Sequence, residues 1–238
     1  MNSNDIRIIL HLLRGQSRTG SHAERLEAFY APQAKHYDAF RERLLQGRRE
    51  LIELLNPAPG ARIIELGGGT GHNIFYFGDK LKQLESIEIV DLCPALLKEA
   101  NLRTQDLPNV RIVEADATTY KPNTPADYVY FSYAITMIPD WKRAIENAIS
   151  ILAPGGTLGI VDFYVSTANP PAGAVKHGIM TRTFWPRWFA HDGVRLNPEH
   201  LTTLRHMLPK HQCFERRSKV PYLLGLQVPY YIFVGQKP

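Results

Sequence analysis

Five short runs dominated by Ile, Val, Leu and aromatic residues punctuate the chain, at 62–66, 86–90, 110–114, 127–132 and 157–163. Their apolar character is nearly continuous rather than alternating, which is the pattern of strands buried on both faces. Between them lie stretches of helical spacing at 73–84, 94–102 and 141–152, and in the last Ala144, Ile145, Ala148, Ile149 and Leu152 share one face. Ala153-Pro154-Gly155-Gly156 is predicted to stop that helix and turn the chain into the next strand. Alternation at this spacing predicts parallel βαβ units joined right-handedly. Two further strands, near 213–220 and 229–234, are separated by a turn rich in Pro and Gly rather than by a helix and are predicted to pair antiparallel. The expected fold is therefore α/β, a doubly wound, mostly parallel seven-stranded sheet in one domain. An N-terminal helical segment (1–57) precedes the core (58–165), and residues 166–238 form an insert after strand five and the closing strands.

A chain of 238 residues with 44% apolar and 21% charged residues is sized and composed for one such core. No run reaches the roughly 18–20 uncharged apolar residues of a membrane span, and the start lacks the features of a secretory signal, so a cytoplasmic location is expected. Cys93 and Cys213 stand far apart without a spacing partner, which predicts two reduced, buried, structural thiols and neither a disulfide framework nor a metal site. The formal charge of +5 is unevenly placed: residues 168–238 hold ten Lys and Arg against three Asp and Glu, leaving the remainder slightly acidic. Such a lobe favours phosphate, nucleic acid or an anionic lipid surface, or is simply solvated.

The strongest local signal is Glu65-Leu66-Gly67-Gly68-Gly69-Thr70-Gly71, between the first strand and the helix that follows it. Glycines here let a ligand approach the backbone, with amide groups at the helix start directed toward its negative end. Asp91, some twenty residues on, ends the second strand, where a carboxylate can accept both hydroxyls of a ribose. These two features fit a nicotinamide dinucleotide as well as other nucleoside ligands. The discriminating third feature is Glu114-Ala115-Asp116-Ala117 after the third strand, where a carboxylate can accept an adenine amino group. Any one of these acids alone reads as a helix cap or a solvated side chain, but acids ending successive parallel strands lie where open α/β sheets bind ligands.

Across residues 58–165 these motifs resemble those of the class I S-adenosylmethionine-dependent methyltransferases, whose sheet has seven strands of this kind. The resemblance implies that Gly67, Gly68, Gly69 and Gly71 shape the loop under the methionine moiety of S-adenosylmethionine, with Glu65 organising its ammonium side. It also implies Asp91 at the ribose, Leu92 against the adenine, and Asp116 with Ala117 at the adenine edge. Ser132, Tyr133 and Ala134, ending the fourth strand, would face the cofactor and the methyl acceptor.

A narrower resemblance involves Glu24-Arg25-Leu26-Glu27-Ala28-Phe29-Tyr30, Ala34-Lys35-His36-Tyr37-Asp38-Ala39-Phe40-Arg41, the segment from Phe184 to Val194, and the ending Val228-Pro229-Tyr230-Tyr231-Ile232-Phe233-Val234-Gly235. These segments look similar to the betaine-lipid N-methyltransferases, the methylating component of betaine lipid synthases. That likeness implies successive methylation of the amine of diacylglyceryl-homoserine at a membrane surface, with peripheral membrane association. It further implies a partnership with the aminocarboxypropyl-transferring enzyme and no nucleic-acid partner. Phe184, Trp185, Trp188 and Phe189, interspersed with Arg182, Arg187 and Arg195, have the composition of an interfacial patch, or alternatively of the core of a helical lid. Residues 5–13 form a plausible amphipathic helix, suited to lipid or to docking on the domain.

Methyl transfer to an amine needs positioning and a dry pocket more than a nucleophilic side chain. Tyr30, Tyr37 and Tyr133 are the candidates to surround the amine, because aromatic faces suit a cationic product. The amine must also lose a proton, for which His177 and His191 are available, while Asp38 could orient Tyr37. Alternative readings are a methyltransferase of soluble small molecules and a non-catalytic protein that binds the cofactor. Asn169-Pro170-Pro171-Ala172 approaches the motif of base-methylating enzymes but follows strand five and lacks its aromatic residue, so a nucleic-acid substrate is not expected.

Overall fold

The computed structural model describes residues 19–32, 42–220, 223 and 225–238. Tyr37, Asp38 and the 5–13 segment lie outside the described residues. Seven strands form one sheet: β1 (Arg62–Leu66), β2 (Ser86–Asp91), β3 (Val110–Glu114), β4 (Ala126–Ser132), β5 (Leu152–Phe163), β6 (His211–Lys219) and β7 (Gln227–Gln236). Their order is β3-β2-β1-β4-β5-β7-β6. The first five pair in parallel, and β7 runs antiparallel to both β5 and β6. The order reverses between β1 and β4, which opens a crevice at the carboxyl ends of these strands.

Alternation along the buried strands supplies both faces with apolar side chains. One face joins Ile63, Ile87, Ile89, Tyr130, Val161 and Ile232 to Leu51, Ile52 and Leu55 of helix α2 (Arg48–Leu55). Helix α1 (His22–Tyr30) precedes α2 in the chain. The other face joins Ile64, Leu66, Val129, Phe131, Ile160 and Tyr231 to helix α4 (Trp141–Ile151) and helix α6 (Glu199–Met207). Helix α3 (Pro94–Thr104) crosses from β2 to β3, with Pro94 at its first turn, where a missing N–H costs nothing.

Three elements differ from the sequence expectation. The stretch expected as a regular helix at 73–84 is a 3₁₀ helix, His72–Gln83, broken where Gly78 takes φ 57° and ψ −133°. The 153–156 segment does not form a separate loop: Leu152 already pairs with Ala126, and the register then slips before Tyr128 meets Thr157, so Pro154, Gly155 and Gly156 make an irregularity within β5. Cys93 is buried as expected, but Cys213 is only partly so.

The insert after β5 carries helix α5 (Ile179–Ala190) and α6. Trp185 and Phe189 are core residues at 3% exposure each, with Phe189 stacked on Phe163 at 4.8 Å. The interfacial assignment of these two rings is therefore corrected. The lid-core alternative holds, because an aromatic helix beside the end of β5 gains more from packing on Phe163 than from water.

Among the described residues, no helix is long and apolar enough to cross a membrane.

Candidate functional site

A cavity of about 240 Å³ opens at the carboxyl ends of β1, β2, β3 and β4. The glycine turn forms its floor. Gly67 takes φ 71°, and a Cβ placed there would stand 2.5 Å from the Cβ of Ala134, so the close approach of the β1 and β4 ends requires glycine on two counts. The N–H groups of Gly67 and Gly68 both donate to the Val90 carbonyl, at 2.8 and 3.1 Å, tying the turn to the end of β2.

Asp91 links the same two segments from the other side. One carboxylate oxygen accepts the Gly69 N–H at 2.8 Å and the other accepts the Cys93 N–H at 2.9 Å. Asp116 lines the cavity next to Ala115, Ala117 and Thr118, and one of its oxygens accepts the Thr118 N–H at 2.7 Å. Leu92 and Leu96 complete this wall.

The end of β4 supplies the opposite wall. Tyr133 holds the left-handed conformation at φ 55°, which is rare for a side chain of this size and marks a constrained position. Its hydroxyl donates to the Gln46 carbonyl at 2.7 Å, and its ring meets Phe163 edge-on at 4.6 Å. Burial holds the phenol far above its ordinary range, so Tyr133 offers the cavity a ring and a neutral hydroxyl, not a base. The chain then passes through Ala134, a short 3₁₀ turn (Ile135–Met137), Ile138, Pro139 and Asp140.

That turn is held by Asp162 of β5, which is fully buried and accepts the Thr136 N–H at 3.1 Å, the Thr136 hydroxyl at 2.8 Å and the Phe163 N–H at 2.8 Å. Burial outweighs these bonds and pushes the carboxyl up to about 7, against 3.8 for an unperturbed aspartate. As pH rises from 3.8 to about 7 the unfolded chain releases this proton and the folded chain retains it, so stability falls across that window. The fall is on the order of 4 kcal/mol. In Asp162→Asn this slope should be missing. The destabilisation of the variant, measured by urea unfolding, should be several kcal/mol smaller at pH 7.5 than at pH 4.

Helix α1 closes the cavity. A capping box between Ser21 and Glu24 fixes its start, and His22, Leu26 and Tyr30, spaced by four, present one face to the cavity. The Tyr30 hydroxyl donates to the Met137 sulfur at 2.9 Å. On the adjoining face Glu27 accepts the Cys93 thiol at 3.1 Å and the Ala95 N–H at 3.0 Å, placing its charge at the N-terminus of α3. Burial, first among its causes, drives the Cys93 thiol up to about 12, so it donates as a thiol. Glu27 thereby latches α1 to the segment that carries Asp91. Glu27→Ala should speed dissociation of a bound nucleoside ligand about tenfold with little change in Tm, read by stopped-flow fluorescence.

Among the residues expected at the cofactor, Gly67, Gly69, Asp91, Leu92, Asp116, Ala117 and Tyr133 line the cavity, as does Tyr30 among the acceptor candidates. Four do not. Glu65 is fully buried beneath the turn, one oxygen accepting the Asn73 amide at 2.6 Å and the other the Tyr130 hydroxyl at 2.8 Å. Arg48 continues the chain by donating to the Asn73 side-chain oxygen at 3.1 Å. Gly68 and Gly71 serve packing instead: a Cβ on either would meet Ile89, at 2.6 and 2.8 Å. Ser132 is buried within β4 and its hydroxyl does not reach the cavity. His177 is buried, with Nδ1 accepting the Ser166 N–H at 3.0 Å, and His191 is exposed at the end of α5.

Sequence reasoning missed His22, Met137, Ile138, Pro139 and Asp140. The position of the last four at the exit of a strand beside the point of reversal was a usable signal. His22 stands close enough to Asp116 to feel its charge, but burial is the larger influence and holds its imidazole below the ordinary range, hence neutral at pH 7.

The lining decides which nucleoside ligand fits. It carries Asp91, Asp116 and Asp140 and, among the described residues, no Lys or Arg. Such a wall suits a cationic ligand, as the sulfonium of S-adenosylmethionine is, better than the pyrophosphate of a dinucleotide.

Comparison with known proteins adds an independent view. A family model described as a methyltransferase domain matches residues 37–217. Aklanonic acid methyltransferase DauC of Streptomyces sp. strain C5 is 29% identical over 115 residues, covering 46% of this chain and 51% of that protein. The chain spans about half the length of the curated relatives it matches. A phosphoethanolamine N-methyltransferase 2 of Haemonchus contortus, solved with S-adenosyl-L-methionine, superposes with a TM-score of 0.70 at 15% identity, over 93% of this chain and 61% of that one. The N-methyltransferase NodS of Bradyrhizobium japonicum, solved with S-adenosyl-L-homocysteine, superposes over 100% of both chains with a TM-score of 0.63 at 14% identity.

Proposed function

The chain belongs to the methyltransferase-domain family, and from that premise we propose that this S-adenosylmethionine-dependent enzyme methylates an amine, that of diacylglyceryl-homoserine, in successive steps. The carrying observation is the lining of the cavity, which includes Tyr30, Tyr133, Met137 and Asp140, the N-cap of α4, and, among the described residues, no Lys or Arg. An N-methyl product is more cationic than its substrate, and rings with a carboxylate favour that charge. The two superposed N-methyltransferases support an amine acceptor, and the resemblance of the N-terminal, 184–194 and C-terminal segments to the betaine-lipid enzymes supports this particular lipid.

The bound cofactor supplies an activated methyl group on a sulfonium. Asp91 and Asp116 would hold its ribose and adenine, and the backbone of the glycine turn would lie under its amino-acid end. Tyr133, pinned through Gln46 and Phe163, and Tyr30, pinned through Met137, would position the acceptor nitrogen and exclude water. The acceptor nitrogen's lone pair would form the new N–C bond as the sulfonium's S–CH3 bond breaks and the thioether S-adenosylhomocysteine leaves, and each of the first two products would lose a proton to solvent before the next transfer. Arg195, exposed, with its backbone N–H donating to the Thr136 carbonyl at 2.7 Å and its charge felt by His22 of the cavity wall, is the candidate partner of the homoserine carboxylate.

The test is expression of the chain in cells that supply diacylglyceryl-homoserine, followed by mass spectrometry of the lipids. Mono-, di- and trimethylated products are expected. An unmethylated lipid pool, alongside cofactor turnover on a soluble amine, would overturn the lipid assignment and keep the methyltransferase.

A further inference from the structure

With Trp185 and Phe189 buried, the apolar surface of the insert lies elsewhere. Val175, Ile179, Met180 and Phe184 are exposed at 38%, 69%, 75% and 38%. Solvated single apolar residues are common, but three large ones in the first two turns of one helix, with Val175 just before it, form a patch that needs a partner. Trp188 stacks on Phe184 at 5.7 Å and Trp185 meets it at 4.9 Å, so the exposed Phe184 ring is held on an aromatic base.

The charge around the patch has one sign. Residues 164–190 contain no Asp or Glu, while Lys176, Arg182 and Arg187 all fall within them. Arg182 is turned inward, its Nε buried, toward the buried His177, whereas Lys176 and Arg187 are exposed. The nearest acid, Glu215, is turned inward to accept the Val175 N–H at 2.7 Å and to pair with Arg205. The helix itself begins at Gly178, whose lack of a side chain leaves its first N–H groups without a side-chain cap, a favourable end for phosphate oxygens.

We propose that the 175–187 surface is a docking site for an anionic bilayer, with Ile179, Met180 and Phe184 entering the acyl boundary and Lys176 and Arg187 lying among headgroup phosphates. A protein partner would be expected to bring acids against these cations, and a nucleic acid would have no use for the protruding aliphatic tips; lipid answers both halves of the surface. This inference goes beyond the acceptor reading and stands whatever the acceptor is.

The experiment is co-flotation of the full chain with vesicles of phosphatidylcholine alone or with one third phosphatidylglycerol, neither containing diacylglyceryl-homoserine, so the outcome is separate from the lipid-methylation assay. Binding is expected to the anionic vesicles, at least tenfold above the neutral ones at low salt, and to weaken severalfold but persist at high salt. Ile179→Ser/Met180→Ser should lower partition at least tenfold at both salt levels. Lys176→Gln/Arg187→Gln should remove chiefly the salt-sensitive part, and both pairs should bind S-adenosylhomocysteine as the native chain does. Equal affinity for both vesicle types, affinity for neither, or an Ile179→Ser/Met180→Ser chain that floats like the native one would overturn the proposal. So would sedimentation showing a native dimer that this pair of changes dissociates, which would make the patch a contact between copies.

Discussion

The Asp91→Ala chain should bind S-adenosylmethionine at least a hundredfold more weakly than the native chain while keeping its fold. Two losses combine in this one side chain. The first is the charged acceptor for the ribose hydroxyls, and charge-assisted bonds of that kind contribute about 1.5–3 kcal/mol each. The second is internal, because Asp91 also accepts the N–H groups of Gly69 and Cys93 and so holds the glycine turn against the exit of β2. Without it the turn must be ordered by the ligand itself, at the ligand's expense in affinity. Calorimetric titration measures the effect. Because Asp91 is partly exposed, thermal unfolding should shift by only a few degrees. Near-native affinity would place the ribose elsewhere.

The Glu65→Ala chain should show the reverse balance, a large loss of stability with a modest loss of affinity. Glu65 is fully buried and receives Asn73 and Tyr130, with Arg48 one step behind. Its removal takes a shared acceptor from two buried donors and leaves Arg48 with less compensating charge. Such changes cost about 3–5 kcal/mol. For a domain of this size that lowers Tm by roughly 10 °C. Measured well below the melting range, cofactor affinity should stay within about tenfold of native, because the carboxylate does not line the cavity. A Glu65→Ala chain as stable as the native one, yet unable to bind, would instead put the carboxylate in direct contact with the ligand.

The contrast between these two acids shows what the sequence could and could not convey. Both end or nearly end a parallel strand, and strand ends were legible from apolar runs, so both positions were marked. Which way each side chain turns depends on neighbours remote in sequence: Tyr130 is 65 residues from Glu65, and only the folded sheet brings them together. The same holds for Ser132 and Tyr133, adjacent in sequence, of which only Tyr133 reaches the cavity. Helix α1 was recognised as a segment, but His22, Leu26 and Tyr30 at helical spacing read equally as a face for the core. Its role as a cover, and Glu27 as its latch, exist only in the packing on α3. The Phe184–Phe189 stretch failed differently. Aromatic residues mixed with arginine describe a lid core and an interface equally well, and the deciding contact, Phe189 on Phe163, is tertiary. The exposed surface proved to begin earlier on the same helix, at Ile179 and Met180.

A crystal structure of the complex with S-adenosylhomocysteine would locate each of these groups at once. The adenine is expected between Leu92 and Ala117 with its amino group on Asp116, the ribose hydroxyls on Asp91, and the sulfur facing Tyr133 under a closed α1. Adenine density outside that cavity, or ribose hydroxyls with no contact to Asp91, would contradict this arrangement.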